Sequence, residues 1–432
     1  MQMMRPSKLA SLALALLALP LGVLLALSGG DGPVAAQSAD FTVEETTFAS
    51  NYPRGMTFTI RATSSAGDIT RATLYYVLRP GTRERENAAF DAESGAWVAR
   101  PYSIRGGLPP WIDFDYYWVL ADSAGNTFET EPQYGLYADH TREWWSIDTE
   151  DITLYWFGEL PELGDVVAET MTAMHQYFTE GWGRTLSYKP LAILFPPGRV
   201  WDEYVEGGVD PDAAGFTNNG WGYTLQRIPT LQDPLSHEAQ RYRCGGYWYG
   251  SRPNTPEEWQ LQDTVHSIVH EIVHLYQSDF RVRGPYFWTE GQADYFASLF
   301  GWRPRDAVSR MLAFAARGYE LPTLQGEGPG GGRTESIDGC HAFGYAIGEH
   351  FIRWLVDTYG GLEVHARVVE AMPGRSLAEA LEVATGVPFL ELENQYRAFL
   401  GYPPIQPLPT PTPYVFPTAP VPSLPTPSGG GN

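Results

Sequence analysis

Along this 432-residue chain the spacing of apolar residues changes period once, and that change limits the fold more than any other feature. Between about 39 and 145, large apolar groups recur at every second position. Phe114, Tyr116, Trp118 and Leu120 fall on one face of a strand, residues 56–62 alternate in the same way, and 73–78 are β-branched and aromatic. The turn chemistry of Asp122-Ser-Ala-Gly-Asn126 closes the central strand against 127–130. Beyond Pro256 the period becomes helical, with helices expected at 258–279, 289–300, 305–317, 342–359, 362–372, 377–385 and 388–400; Gly360, Gly361 and Gly386 stand where helices should stop. Strands at 152–157, 188–195 and 223–228 and a helix at 163–180 lie between. A multidomain chain is therefore expected, with an all-β sandwich over 39–148 followed by an α+β domain over 150–402 whose C-terminal half is mostly helical.

The ends read differently from the middle. Arg5 and Lys8 precede an apolar run from Leu9 to Ser28, and the small residues Val34, Ala35 and Ala36 follow. Residues 1–36 are expected to be a signal peptide, or an N-terminal anchor if uncleaved, since the run is long enough to span a bilayer. Either places the rest outside the cytoplasm, extracellular or at the cell surface, with membrane contact only through that anchor. Residues 403–432 centre on Pro409-Thr-Pro-Thr-Pro413 and are expected to be a disordered Pro/Thr-rich tail. A formal net charge of −22 excludes nucleic acid and anionic membrane surfaces as natural partners. The two cysteines, Cys244 and Cys340, form no CxxC pair; in an oxidising compartment a disulfide is expected, against the alternative of two free thiols.

Chemistry concentrates in His270-Glu-Ile-Val-His274, inside a run with apolar residues at Val265, Ile268, Val269, Ile272, Val273 and Tyr276. On a helix, four residues bring the second imidazole to within roughly 40° of the first, one turn on, so both can reach one ion. Glu271 lies about 100° to the side, where a carboxylate can take a proton from a metal-bound water. A catalytic zinc site wants three protein ligands and an open fourth position. Glu290, in Trp288-Thr-Glu-Gly-Gln-Ala-Asp-Tyr295 and expected just inside a helix start, supplies the third. Asp294, one turn further, is expected to take the second ring N–H of a ligating histidine; the competing reading makes Asp294 itself the third ligand. His266 cannot join, because it stands about 12 Å along the axis from His274. His341 and His350 stay unassigned, although His341 precedes Tyr345 closely enough to approach a metal.

The short strands of 39–148 resemble fibronectin type III or immunoglobulin-like modules. His270, Glu271, His274, Glu290, Gly291 and Ala293 together resemble the HExxH plus E-G-x-A pattern of gluzincin zinc metallopeptidases. Tyr345-Ala-Ile-Gly348 is similar to the Y-x-x-G of their aminopeptidase-type members, and the resemblance, closest to the peptidase MA-like group, runs from roughly Ile152 to Tyr402. It implies one catalytic zinc ion, a peptide or protein substrate, hydrolysis by Glu271-assisted attack of zinc-bound water, and Tyr345 steadying the oxyanion. The G-x-M-E-N strand that grips a substrate amino terminus has no match. Ala213-Ala-Gly-Phe-Thr217 occupies a comparable place without its glutamate, which leaves endopeptidase or carboxyl-side specificity open. A closed structural zinc site is disfavoured because neither cysteine is near the motif. The alternative function is a catalytically silent, peptidase-like binding or adhesion module. Two segments, 241–256 and the Gly-rich 321–339, are expected to shape the pocket, the second as a lid.

Overall fold

The computed structural model describes residues 40–101, 108–158, 160–196, 215–231, 255–300, 318, 321, 323–324 and 343–405. The leader, the expected helix at 305–317, both cysteines, His341, the segments shaping the pocket (almost entirely) and nearly all of the tail lie outside the described residues. Among the described residues no helix is long and apolar enough to cross a membrane.

Among the described residues, nine strands form two antiparallel sheets in the N-terminal part. One has the order β1 (Phe41–Ser50), β2 (Met56–Ser64), β6 (Ala96–Ala99), β5 (Ala89–Asp91). The other has the order β4 (Arg83–Asn87), β3 (Ile69–Leu78), β7 (Ile112–Asp122), β8 (Thr127–Glu129), with β9 (Gln133–Tyr137) also paired to β7. The period-two pattern sets the register: Leu74, Tyr76 and Leu78 stand opposite Trp118, Tyr116 and Phe114. All six turn into a core that Phe58 and Ile60 enter from the first sheet, with the Phe58 and Tyr116 rings 5.0 Å apart. The turn after β7 forms as its chemistry requires, Asp122 Oδ1 accepting from the amides of Ala124 and Asn126.

A third, mixed sheet follows, in the order β10 (Trp145–Asp148), β11 (Thr153–Trp156), β12 (Leu191–Phe195), β14 (Tyr223–Arg227), β13 (Gly215–Asn218). Helix α1 (Leu163–Trp182) connects the parallel strands β11 and β12. Strand β12 is LAILF, apolar at every position as a strand buried on both faces must be. Leu191, Ile193 and Phe195 enter the β core, whereas Ala192 and Leu194 enter the helical core behind it.

Among the described residues the elements that follow are helices: α2 (Pro256–Asp279), α3 (Tyr286–Ala297), α4 (Phe343–Tyr359), α5 (Leu362–Ala371), α6 (Leu377–Thr385) and α7 (Phe389–Phe399). Helix α2 begins two residues before its apolar period, because Thr255 caps the amide of Glu258 and Pro256 fills a first-turn position that needs no N–H. Helix α3 begins at Tyr286, so Glu290 lies in its second turn rather than just inside its start. Gly386 ends α6 with φ 73°, and Gly361, with φ 76°, separates α4 from α5. Helices α3 and α4 pack with Gly291 facing Gly348.

Candidate metal centre

Helix α2 carries His270, Glu271 and His274 on the side facing α3 and the end of the third sheet. His270 and Glu271 are buried and His274 is half-buried. From α3, Glu290 Oε2 lies 3.3 Å from His270 Nε2 and 3.5 Å from His274 Nε2. Three lone-pair atoms therefore face one another across a small gap. The edge of a tetrahedron around an ion with bonds of about 2.0–2.1 Å is about 3.3–3.4 Å, so the two distances from Glu290 Oε2 are those expected between neighbouring ligands of one such ion.

The electrostatics agree. At His270 burial works against a charged ring, but the hydrogen bonds of Asp294 and Glu290 outweigh it and raise the imidazole to about 10. Burial would push the Glu290 carboxyl up, yet the two imidazoles hold it at about 2. Both shifts have one origin, the mutual attraction of the Glu290 carboxylate and the imidazoles that face it across a buried gap.

Asp294 Oδ1 lies 2.9 Å from His270 Nδ1, on the opposite side of the ring from Glu290. Asp294 is thus placed behind the imidazole, where it can hold the Nδ1–H tautomer and leave Nε2 as the donor. His266, His270 and Asp294 also form a close group of potential ligand atoms, as do His270, Glu271 and His274. In the first group His270 presents Nδ1, which its hydrogen bond to Asp294 already uses. His266 Nε2 lies 3.6 Å from Asp294, behind the site. His350 is elsewhere, bonded to Tyr396 Oη at 2.9 Å in the core.

Strand β13, which overlaps the sequence segment 213–217, contributes a contact that sequence reasoning missed. The Thr217 hydroxyl sits 2.7 Å from Glu271 Oε2 and 2.9 Å from the Glu271 carbonyl oxygen. The approach needs Gly215, where an added Cβ would fall 3.2 Å from Glu271 Cγ and 3.0 Å from the Leu225 carbonyl oxygen. Two more partners were missed. His274 Nδ1 lies 2.9 Å from Gln277 Oε1, a contact that i,i+3 spacing makes readable. Tyr286 donates to Tyr345 Oη at 2.8 Å. The Tyr345 ring lies over His270, centroids 6.0 Å apart. Burial first, and then the charge of Glu290, raises the Tyr345 phenol well above its ordinary value, so it stays protonated and able to donate.

These groups line a cleft of about 1100 Å³ that also takes in Phe216, Arg281, Arg283 and Arg375. All three arginines are exposed, and none has an ion pair among the described residues. Arg375 is steered by one bond, Nη1 to the Ala371 carbonyl at 2.9 Å.

No family model and no curated protein matches the chain. Among solved structures it is similar to Legionella pneumophila aminopeptidase A in complex with aspartic acid, at 11% identity over 81% of this chain and 34% of that one, with a TM-score of 0.34. It is also similar to a mutant M1 zinc metallopeptidase from Deinococcus radiodurans, at 11% identity over 87% of this chain and 64% of that one, with a TM-score of 0.31. A carbohydrate-binding module of family 56, a β-1,3-glucan binding domain, matches 22% of this chain over 98% of its own length, at 12% identity and a TM-score of 0.16. The chain thus spans less than two thirds of either peptidase, and the likenesses are distant.

Proposed function

We propose that the protein is an exported zinc-dependent peptidase of gluzincin type, with His270, His274 and Glu290 as the metal ligands and Glu271 as the general base. The observation that carries this reading is the convergence of His270 Nε2, His274 Nε2 and Glu290 Oε2 at 3.3 and 3.5 Å, with the Glu271 carboxylate beside them in an open cleft. The fibronectin-like reading of the two N-terminal sheets belongs to the same proposal.

A zinc ion held there would supply a Lewis acid for the scissile carbonyl and lower the pKa of water. The chain's own residues do the rest. Glu271, held by the Thr217 hydroxyl, takes a proton from the attacking water as its oxygen bonds to the carbonyl carbon. The Tyr345 O–H, itself accepting from Tyr286, donates to the developing oxyanion. Glu271 then returns the proton to the leaving nitrogen, the C–N bond breaks, and a carboxylate and an amine result.

Strand β13 ends its sheet among the described residues and lines the cleft through Gly215, Phe216 and Thr217, which suits an extended peptide backbone. Arg281, Arg283 and Arg375 add cationic groups to the cleft lining in a protein of net charge −22, which favours peptides carrying carboxylates. No glutamate of β13 is present to grip an amino terminus.

The test is a peptide-library digest read by mass spectrometry, with and without a zinc chelator, for the wild type and Glu271→Gln. Chelator-sensitive cleavage by the wild type, and none by a zinc-loaded Glu271→Gln variant, is expected. Stoichiometric zinc with no cleavage of any peptide would instead favour the binding-module reading.

A further inference from the structure

An imidazole can give its Nε2 lone pair to a cation only if its proton sits on Nδ1. For His270 a carboxylate, Asp294, settles that. For His274 the partner is the Gln277 amide, which could offer either an oxygen or an NH₂ group to the ring. What fixes that amide therefore fixes the ligand.

Two carbonyls fix it, from opposite ends. Gln277 Nε2 lies 2.6 Å from the Thr289 carbonyl oxygen and 3.0 Å from Gln292 Oε1. A carbonyl only accepts, so the atom beside Thr289 is the amino group and the Gln277 oxygen faces His274 Nδ1. Further in, His365 Nδ1 lies 2.5 Å from the Gly181 carbonyl oxygen, so His365 carries its proton on Nδ1 and its Nε2 accepts. The donor to that Nε2 is Gln292 Nε2 at 2.9 Å, which turns Gln292 Oε1 back towards Gln277. Read from either end, every bond has the same polarity: His274 Nδ1–H to Gln277, Gln277 to Gln292, Gln292 to His365, His365 to Gly181.

The chain ties α2 and α3 to α5 and to the last turn of α1. Gln292 and His365 are 0% exposed and Gln277 is 6% exposed, so bulk solvent does not compete. The His365 ring is held among Trp182, Phe296 and Trp288, with centroids at 5.2, 5.1 and 5.9 Å. Burial pushes its pKa down to about 4, which keeps it neutral and accepting at Nε2.

We infer that Gln277, Gln292 and His365 are positioning residues, a one-way hydrogen-bond relay anchored on Gly181 that locks His274 in the Nδ1–H form and aims its Nε2 at the space beside Glu290. The inference rests on the proposed zinc site, but the tautomer of His365 can be measured without it.

Nitrogen-15 imidazole spectra and zinc competition against a chelator test the relay, with denaturation curves to show that each variant is folded. The wild type is expected to show His365 protonated on Nδ1 alone at neutral pH and, with zinc bound, a slowly exchanging His274 Nδ1–H. Gln277→Leu should weaken zinc by about 10- to 100-fold. Gln292→Leu should weaken it less, because Thr289 still orients Gln277, and should speed exchange of the His274 Nδ1 proton. Gln292→Glu can accept from Gln277 but cannot donate to His365, so it should keep zinc affinity near wild type while His365 becomes doubly protonated. His365 found protonated on Nε2 alone in the wild type would overturn the relay. So would unchanged zinc affinity and unchanged proton exchange in folded Gln277→Leu and Gln292→Leu proteins. Failure of the wild type to bind zinc, with His365 protonated on Nδ1 as expected, would overturn the metal reading and leave the relay's polarity standing.

Discussion

Gly291 and Gly348 meet backbone to backbone: a Cβ added at Gly348 would fall 1.8 Å from the Phe287 carbonyl oxygen, and one at Gly291 would fall 2.4 Å from Gly348 Cα. The contact fixes how α3 and α4 cross, and each glycine stands within a turn of a site residue, Glu290 on one side and Tyr345 on the other. Gly348→Ala is expected to cost about 3 kcal/mol or more, because a backbone oxygen cannot turn aside as a side chain can. Zinc affinity should fall as well, since Glu290 moves with α3. Urea denaturation and chelator competition check both; wild-type values for the two together would show that the crossing does not set the site.

Thr217 gives the base its fixed point on the sheet. Thr217→Val keeps the shape and removes the donor to Glu271 Oε2, a charged hydrogen bond of about 1.5–3 kcal/mol. Peptide cleavage is expected to drop by roughly 10- to 100-fold in kcat with zinc content unchanged, and Thr217→Ser should recover most of it. Steady-state kinetics on a cleaved peptide would decide.

Two buried histidines make stability depend on pH. Burial lowers both His350 and His365 from 6.5 to about 4; Arg353 adds to the effect at His350, while the Gly181 carbonyl opposes it at His365. Between those values the unfolded chain binds the extra protons, so stability is expected to fall as pH drops from about 6.5 to about 4. Below about 4 these two rings cause no further loss. At about 1.4 kcal/mol per pH unit, each contributes on the order of 3 kcal/mol. Chemical denaturation at several pH values measures the slope, and a folded His350→Phe variant should show a shallower one.

The arginines lining the cleft should set charge preference. Arg375→Glu is expected to lower kcat/KM for peptides with acidic residues by about tenfold and to leave neutral peptides within about twofold, with the difference shrinking at high salt. Equal effects on both peptide classes would assign Arg375 a structural role instead.

His270, Glu271 and His274 were legible because helical geometry alone brings them together, and Glu290 because its helix follows closely. Tyr345 lies 55 residues beyond Glu290 in sequence, and what brings it back is the glycine contact, whose two members look ordinary in the sequence. The segment ending at Thr217 stood out by its place before the metal helix, but its bond to Glu271 did not, since nothing in a four-residue edge strand announces a bond to a residue 54 positions away. Gln292 and His365 lie in an apolar core where polar residues follow no period. Several strands were hidden for other reasons. Strand β1 has a bulge between Val43 and Glu45 that breaks its alternation, and β4, Arg-Glu-Arg-Glu-Asn, carries no apolar residue at all. It is held by pairing with β3 and by Arg83 lying over Tyr75, 4.2 Å from the ring centroid.

Strand β12 gives Leu191, Ile193 and Phe195 to one core and Ala192 and Leu194 to the other. The two halves of the protein are therefore joined by a shared wall, where two separate domains would have a linker. A chain cut before β10 would turn the Leu191 face, together with Tyr223 and Leu225, out to water, so the β half cannot be shed like a tethered accessory. Nor can it swing: a strand packed on both sides offers no hinge.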